Sequence, residues 1–194
     1  PAAGFSGTGS FDARASLSGT DAGLADRLYA IDVANDRLIT LDRATAAPTV
    51  IGNFGFNFTG ESDLTYFNGF LYAATFSGVW TLAKIDPMTG AVLATAPLVF
   101  GSPNPMLNVD GLEARGGKLY IAFSFDGTPS TLGEVDPTTG AITNAFNFDS
   151  LGSDQDFDAL AAGETGPLYA VDTRQLSAPQ KQILFQQLTL QPSF

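Results

Sequence analysis

Leu28-Tyr29-Ala30, Leu71-Tyr72-Ala73, Leu119-Tyr120-Ile121 and Leu168-Tyr169-Ala170 are four copies of one motif, and their tyrosines stand 43, 48 and 49 residues apart. They hold four of the five tyrosines in the 194-residue chain. An aspartate stands seven to ten residues before each copy: Asp21, Asp63, Asp110 and Asp158. A leucine follows each aspartate within three positions: Leu24, Leu64, Leu112 and Leu160. Recurrence of the same residues at a fixed period is the mark of a repeat architecture.

Downstream of the tyrosine a third element recurs. Ile39-Thr40-Leu41-Asp42, Ala83-Lys84-Ile85-Asp86 and Gly133-Glu134-Val135-Asp136 align, and each ends at a turn. Two of the turns read Asp86-Pro87-Met88-Thr89-Gly90 and Asp136-Pro137-Thr138-Thr139-Gly140. Aspartate accepts from the turn's own backbone, proline presets φ, and glycine takes the strained position before the chain reverses. The first copy is degenerate, Asp42-Arg43-Ala44-Thr45-Ala46. Apolar segments follow at 91–98 and 141–148. Each copy thus holds four short strands in about 45 residues, the period of a β-propeller blade. The competing architecture is a β-sandwich, which also turns every 8–12 residues but does not require the same residues at the same place in each unit.

The expected organisation is one all-β domain over 1–194, with blades at roughly 18–51, 60–98, 107–148 and 155–194. Leu188-Thr189-Leu190-Gln191-Pro192 aligns with Ala83-Lys84-Ile85-Asp86-Pro87, so the last copy reaches its turn without an outer strand. The N-terminal strand 11–17 is expected to supply that strand and close a four-bladed ring, removing an open edge. The alternative is an open arc of a larger propeller, completed by a second copy or a longer chain.

Leu82-Ala83-Lys84-Ile85-Asp86-Pro87-Met88-Thr89-Gly90 resembles the Leu-x-x-(Ile/Val)-Asp-x-x-Thr-Gly repeat of bacterial quinoprotein-like and YVTN-type β-propellers. Residues 132–140 are similar, and 38–45 more loosely so. The resemblance implies a propeller fold and export. It implies no activity, because no residue here matches the cofactor-holding residues of the quinoprotein enzymes.

Composition narrows the chemistry. Histidine and cysteine are both absent. That excludes Ser-His-Asp and Cys-His nucleophiles, zinc sites and thiol redox chemistry built from those residues. The net charge of −11 argues against nucleic acid and anionic membrane surfaces. No apolar run approaches the ~18 residues of a membrane helix. Charged residues are 15% of the chain, below the usual ~25%. With its low lysine and high Gly, Asn, Thr and Phe content, this composition suggests an exported bacterial protein, periplasmic, extracellular or at the cell surface.

In a propeller the aspartate-bearing strand is innermost, so Asp21, Asp63, Asp110 and Asp158 are expected near one axis. Four close carboxylates need a cation to stay ionised, and oxygen ligands suit Ca²⁺. The plainer expectation is that each aspartate caps its own loop or strand through backbone N–H groups. Asp154-x-Asp156-x-Asp158 lacks the glycine and closing glutamate of an EF-hand loop and reads as a solvated acidic loop. Phe54, Phe56, Phe58, Phe100 and Met106 cluster between repeats, either as an apolar or carbohydrate-stacking surface or as packing between blades. No catalytic residue is assigned. The function expected is a non-enzymatic exported binding or structural module, its partner a protein or a polysaccharide, with oligomers or a larger assembly open to it. The alternative is a carboxylate-based, Ca-dependent hydrolase or lyase acting on a polysaccharide.

Overall fold

The computed structural model describes residues 11–16, 27–101, 107–125, 130–147, 157–162, 167–172 and 184–188. These form four sheets. The first runs β1 (Phe11–Ser16), β2 (Leu28–Asp32), β3 (Arg37–Leu41), β4 (Pro48–Asn53). The second runs β5 (Thr59–Phe67), β6 (Phe70–Phe76), β7 (Trp80–Ile85), β8 (Val92–Pro97). A two-residue strand, β9 (Val99–Phe100), precedes the third sheet: β10 (Leu107–Arg115), β11 (Lys118–Phe125), β12 (Thr131–Val135), β13 (Ala141–Asn147). The fourth holds β14 (Phe157–Ala162), β15 (Leu168–Asp172) and β16 (Leu184–Leu188). Each sheet is an antiparallel meander, except that β9 adds to β13 in parallel. The first strands of successive sheets adjoin, β1 with β5, β5 with β10 and β10 with β14. The fold is a β-propeller.

Strand alternation builds the core between blades. In β6, Leu71 and Ala73 face the first blade, beside Tyr29, Ile31, Leu38, Phe54 and Phe58. The intervening Tyr72 and Ala74 face the third, beside Leu112, Leu119, Ile121 and Phe123. In β11, Tyr120 and Ala122 turn to the fourth blade and meet Phe157, Leu160 and Leu168. Because a middle blade is covered on both faces, its strands read as continuous apolar runs rather than alternating ones. Tyr72 and Tyr120 are 5% and 7% exposed, whereas Tyr169, at the same place in the fourth blade, is 40% exposed. Phe54 and Phe58 therefore pack between blades rather than forming a surface; Met106 lies outside the described residues.

The turns are as their residues dictate. Gly90 and Gly140 have φ of +75° and +71°. The Asp86 carboxylate accepts from Met88 N (2.8 Å) and the Thr89 hydroxyl (2.9 Å). Asp42 makes the same turn, accepting from Ala44 N, Thr45 N and the Thr45 hydroxyl, but Ala46 there carries the positive φ, +57°. The turns also dock blade on blade. A Cβ on Gly90 would lie 2.7 Å from the Gly52 carbonyl oxygen of β4, and one on Gly140 would lie 2.2 Å from that of Pro97 in β8. Glycine is required there for close approach as well as for φ.

Two expectations are corrected. The N-terminal strand does not pair with the strand near 184–190. β1 pairs with β2 as the innermost strand of the first blade, and β16 pairs with β15. The reason lies in Phe11-Asp12-Ala13, which repeats Phe157-Asp158-Ala159: Phe11 stands opposite Asp32 as Phe157 stands opposite Asp172. The first blade thus begins at 11, not 18. In the last blade Leu188, not Leu190, takes the place of Ile85, opposite Leu168 as Ile85 is opposite Leu71. Residues 189–194 lie outside the described residues. Among the described residues no helix is long and apolar enough to cross a membrane.

Candidate functional site

The inner strand of a blade pairs on one side only, so alternate backbone groups on its other edge need partners from elsewhere. Neighbouring inner strands supply them. The Asp63 carboxylate of β5 accepts from Leu64 N at 2.8 Å and from Leu112 N of β10 at 2.5 Å. Two residues on, the Thr65 hydroxyl accepts from Ala114 N at 3.2 Å and donates to Glu113 Oε1 at 3.1 Å. Glu113 in turn accepts from Ala114 N at 2.9 Å and from the backbone of Ala162 in β14. These ties run in one direction, the second blade holding N–H groups of the third and the third holding one of the fourth.

These carboxylates are costly to ionise where they sit. Burial pushes Asp63 up to about 7, against the two backbone N–H groups that favour its charge, and the Glu113 charge pushes the same way. Burial also raises Glu113 above the ordinary carboxylate range. The dominant cause at both is desolvation.

Asp110 is held differently. It sits in a bulge of β10 between Val109 and Gly111. Its carboxylate accepts from the Ser130 hydroxyl at 3.0 Å and from Ser124 at 3.4 Å. Ser130 accepts in turn from Phe157 N at 3.0 Å. This bond again joins one blade to the inner strand of the next.

The four aspartates singled out by the repeat are therefore not equivalent. Leu64, Leu112 and Leu160 share a register, opposite Ala73, Ile121 and Ala170. Asp110 and Asp158 stand two residues before their leucines, at bulges, while Asp63 stands one before and pairs with Ala74. Asp21 lies outside the described residues, and of Asp158 the backbone alone is described. In β1 the place of the leucine is taken by Arg14, opposite Ala30, and two before it stands Asp12. The sequence signal for Asp12 was Phe11-Asp12-Ala13 itself. Glu113 and Thr65 were missed for another reason: they carry no repeat. Among the described residues no group of three or more acids is placed to hold a metal ion.

The tyrosine motif contributes packing. The Tyr29 hydroxyl is buried and makes no hydrogen bond of ordinary geometry among the described residues; burial raises its pKa, while the nearby Arg27 guanidinium offsets part of that rise.

No protein-family model and no curated protein matches the sequence. Solved structures do. A glutaminyl cyclase of Myxococcus xanthus is 20% identical with a TM-score of 0.58, over 84% of this chain and 67% of that one. A bifunctional GH43-CE protein of Bacteroides eggerthii is 12% identical with a TM-score of 0.58, over 89% of this chain and 25% of that one. The GH43B of a xyloglucan PUL of Bacteroides ovatus is 14% identical with a TM-score of 0.56, over 93% of this chain and 39% of that one. At these identities the likeness is one of fold, and fold does not carry function.

Proposed function

We propose that the chain is a non-enzymatic binding or structural module. One observation carries this reading. Among the described residues, the inner-strand carboxylates, the natural catalysts of a propeller channel without histidine or cysteine, are occupied in holding the next blade: Asp63 accepts from Leu112 N and Glu113 from the backbone of Ala162, while Asp110 accepts from the Ser130 hydroxyl that holds Phe157 N. A carboxylate so engaged is a structural brace, and a general acid or base must instead reach a substrate atom. The composition supports an exported location for such a module.

One observation favours the alternative, a carboxylate-based hydrolase or lyase acting on a polysaccharide. Asp63, at about 7, has the raised pKa of a general acid. Reducing-end release and unsaturated-product absorbance, measured on a panel of polysaccharides with and without Ca²⁺, separate the two. The module reading predicts no turnover by the wild type. Turnover that Asp63→Asn abolishes, with the variant still folded, would establish the enzyme instead.

A further inference from the structure

Two-residue turns join the inner strand to the second strand in both middle blades. Phe67 stands opposite Phe70 in the second blade, with Asn68 and Gly69 between them. Arg115 stands opposite Lys118 in the third, with Gly116 and Gly117 between them. All four turn residues have positive φ, +49° and +86° in the second blade and +58° and +77° in the third. Positive φ at both central residues is the type I′ hairpin turn. The third blade meets that demand with glycine alone, while the second places a side-chain amide at the first position.

Asn68 alone among the asparagines is followed by glycine. Both residues are exposed, and a Cβ added to Gly69 would meet nothing within 4 Å. Bonding of the Gly69 nitrogen to Asn68 Cγ closes a five-membered imide. A planar ring eclipses Cβ and that nitrogen about the Cα–C bond, which sets ψ of residue 68 near about −120°, the value at the first central position of a type II′ turn. That position also takes positive φ, which Asn68 already has. One flip of the 68–69 peptide therefore converts type I′ into type II′, and glycine accepts the negative φ that results as readily as the positive one. Both turns suit a two-residue hairpin, so the ring closes with β5 and β6 still paired. Asn144 makes the contrast. It too has positive φ, +48°, but its amide donates to Glu134 Oε2 at 3.1 Å and alanine follows it.

We propose that Asn68 is a hydrolytic modification site, its turn already shaped for closure of the imide with Gly69. The Gly69 nitrogen gives up its proton and forms the N–Cγ bond. The Cγ–N bond of the side-chain amide breaks, and ammonia leaves with that proton. Water then adds to one of the two imide carbonyls and opens the ring, giving aspartate at one carbonyl and isoaspartate at the other. Nothing is oxidised or reduced. Either product adds one negative charge to the −11 of the chain, at an exposed turn. The inference holds for a binding module and for an enzyme alike.

The test incubates the folded full chain at mildly alkaline pH and follows each asparagine by peptide mass mapping. The mass gain of amide-to-acid conversion is expected at Asn68 at least ten-fold faster than at Asn144. Hydroxylamine, which cleaves an imide, should split the chain into 1–68 and 69–194. Because the hairpin stays paired, the folded chain should react at a rate within ten-fold of the blocked peptide YFNGFL, which copies residues 66–71. Asn68→Gly, which reproduces the turn of the third blade, should remove both the mass gain and the cleavage and melt at the same temperature. No conversion at Asn68, conversion of Asn144 at a comparable rate, or a folded rate more than ten-fold below that of the peptide would overturn the proposal.

Discussion

The carboxylate of Asp63 in β5 accepts the backbone N–H of Leu112 in β10, so the innermost strand of the second blade is tied to that of the third. Thr65 repeats the tie to Ala114 two residues on. Asp110 and Ser130 carry it to Phe157 in the fourth blade. Leu112, Ala114 and Phe157 thereby find partners for their N–H groups in the preceding blade.

Removing one of these ties leaves a buried donor without a partner, which costs ~1–3 kcal/mol. Ser130→Ala is the cleanest case, because Ser130 is 1% exposed and serves both Asp110 and Phe157 N. Urea denaturation should show a loss of about 2 kcal/mol with an unchanged slope.

Ala46 is a turn residue with φ of +57° where the other two turns have glycine. The left-handed conformation costs an L-residue roughly 1–2 kcal/mol, part of which glycine returns through its looser unfolded chain. Ala46→Gly should therefore stabilise the protein by about 0.5–1 kcal/mol in the same denaturation experiment.

Gly140→Ala combines that strain with a clash against the Pro97 carbonyl at 2.2 Å, whereas Gly78, with φ of +88°, has nothing within 4 Å of an added Cβ. The expected order is a loss of about 1 kcal/mol for Gly78→Ala, from strain alone. Gly140→Ala should lose at least twice that, because backbone must move. Equal losses would show that blade docking through the turn carries no weight.

Cation binding to a folded protein raises its melting temperature by mass action. Asp63 and Asp110 are engaged by backbone and hydroxyl donors, so melting is expected to be the same with added Ca²⁺ and with chelator. An upward shift with Ca²⁺ that Asp110→Asn removes would restore the cation site expected from the repeat.

The repeating elements were legible in the sequence because each has its own local chemistry. Leu-Tyr-Ala marks a strand buried on both faces, and Asp-x-x-Thr-Gly marks a turn whose carboxylate and glycine do separate jobs. β1 was harder to place. Residues 17–27 separate it from β2, where two-residue turns join β5 to β6 and β10 to β11, and Arg14 stands where the other inner strands have leucine. Asp21 and Leu24 match the repeat's Asp and Leu more closely than Asp12 and Arg14 do, although Arg14 holds the leucine's place in the sheet. In the last blade, Leu184-Phe185-Gln186-Gln187-Leu188 and the residues after it alternate alike. A two-residue slip keeps every side chain on its face, so alternation alone does not reveal it. The ties between blades, Thr65 to Ala114 and Glu113 to Ala162, each join residues 49 positions apart, and no local pattern announces them.

The pH dependence of stability tests most directly whether the inner-strand carboxylates act as buried braces. Asp63 titrates near 7 in the folded protein against 3.8 for an ordinary aspartate. A raised folded pKa favours the protonated form, so its contribution is complete below about pH 4 and is lost as pH rises through 7. Three pH units correspond to at most ~4 kcal/mol, and Glu113 shifts in the same direction. Unfolding free energies measured by urea from pH 4 to 8 should fall for the wild type and fall distinctly less for Asp63→Asn. Parallel profiles for the two proteins would contradict the account, because Asp63 would then titrate as an exposed carboxylate that holds nothing.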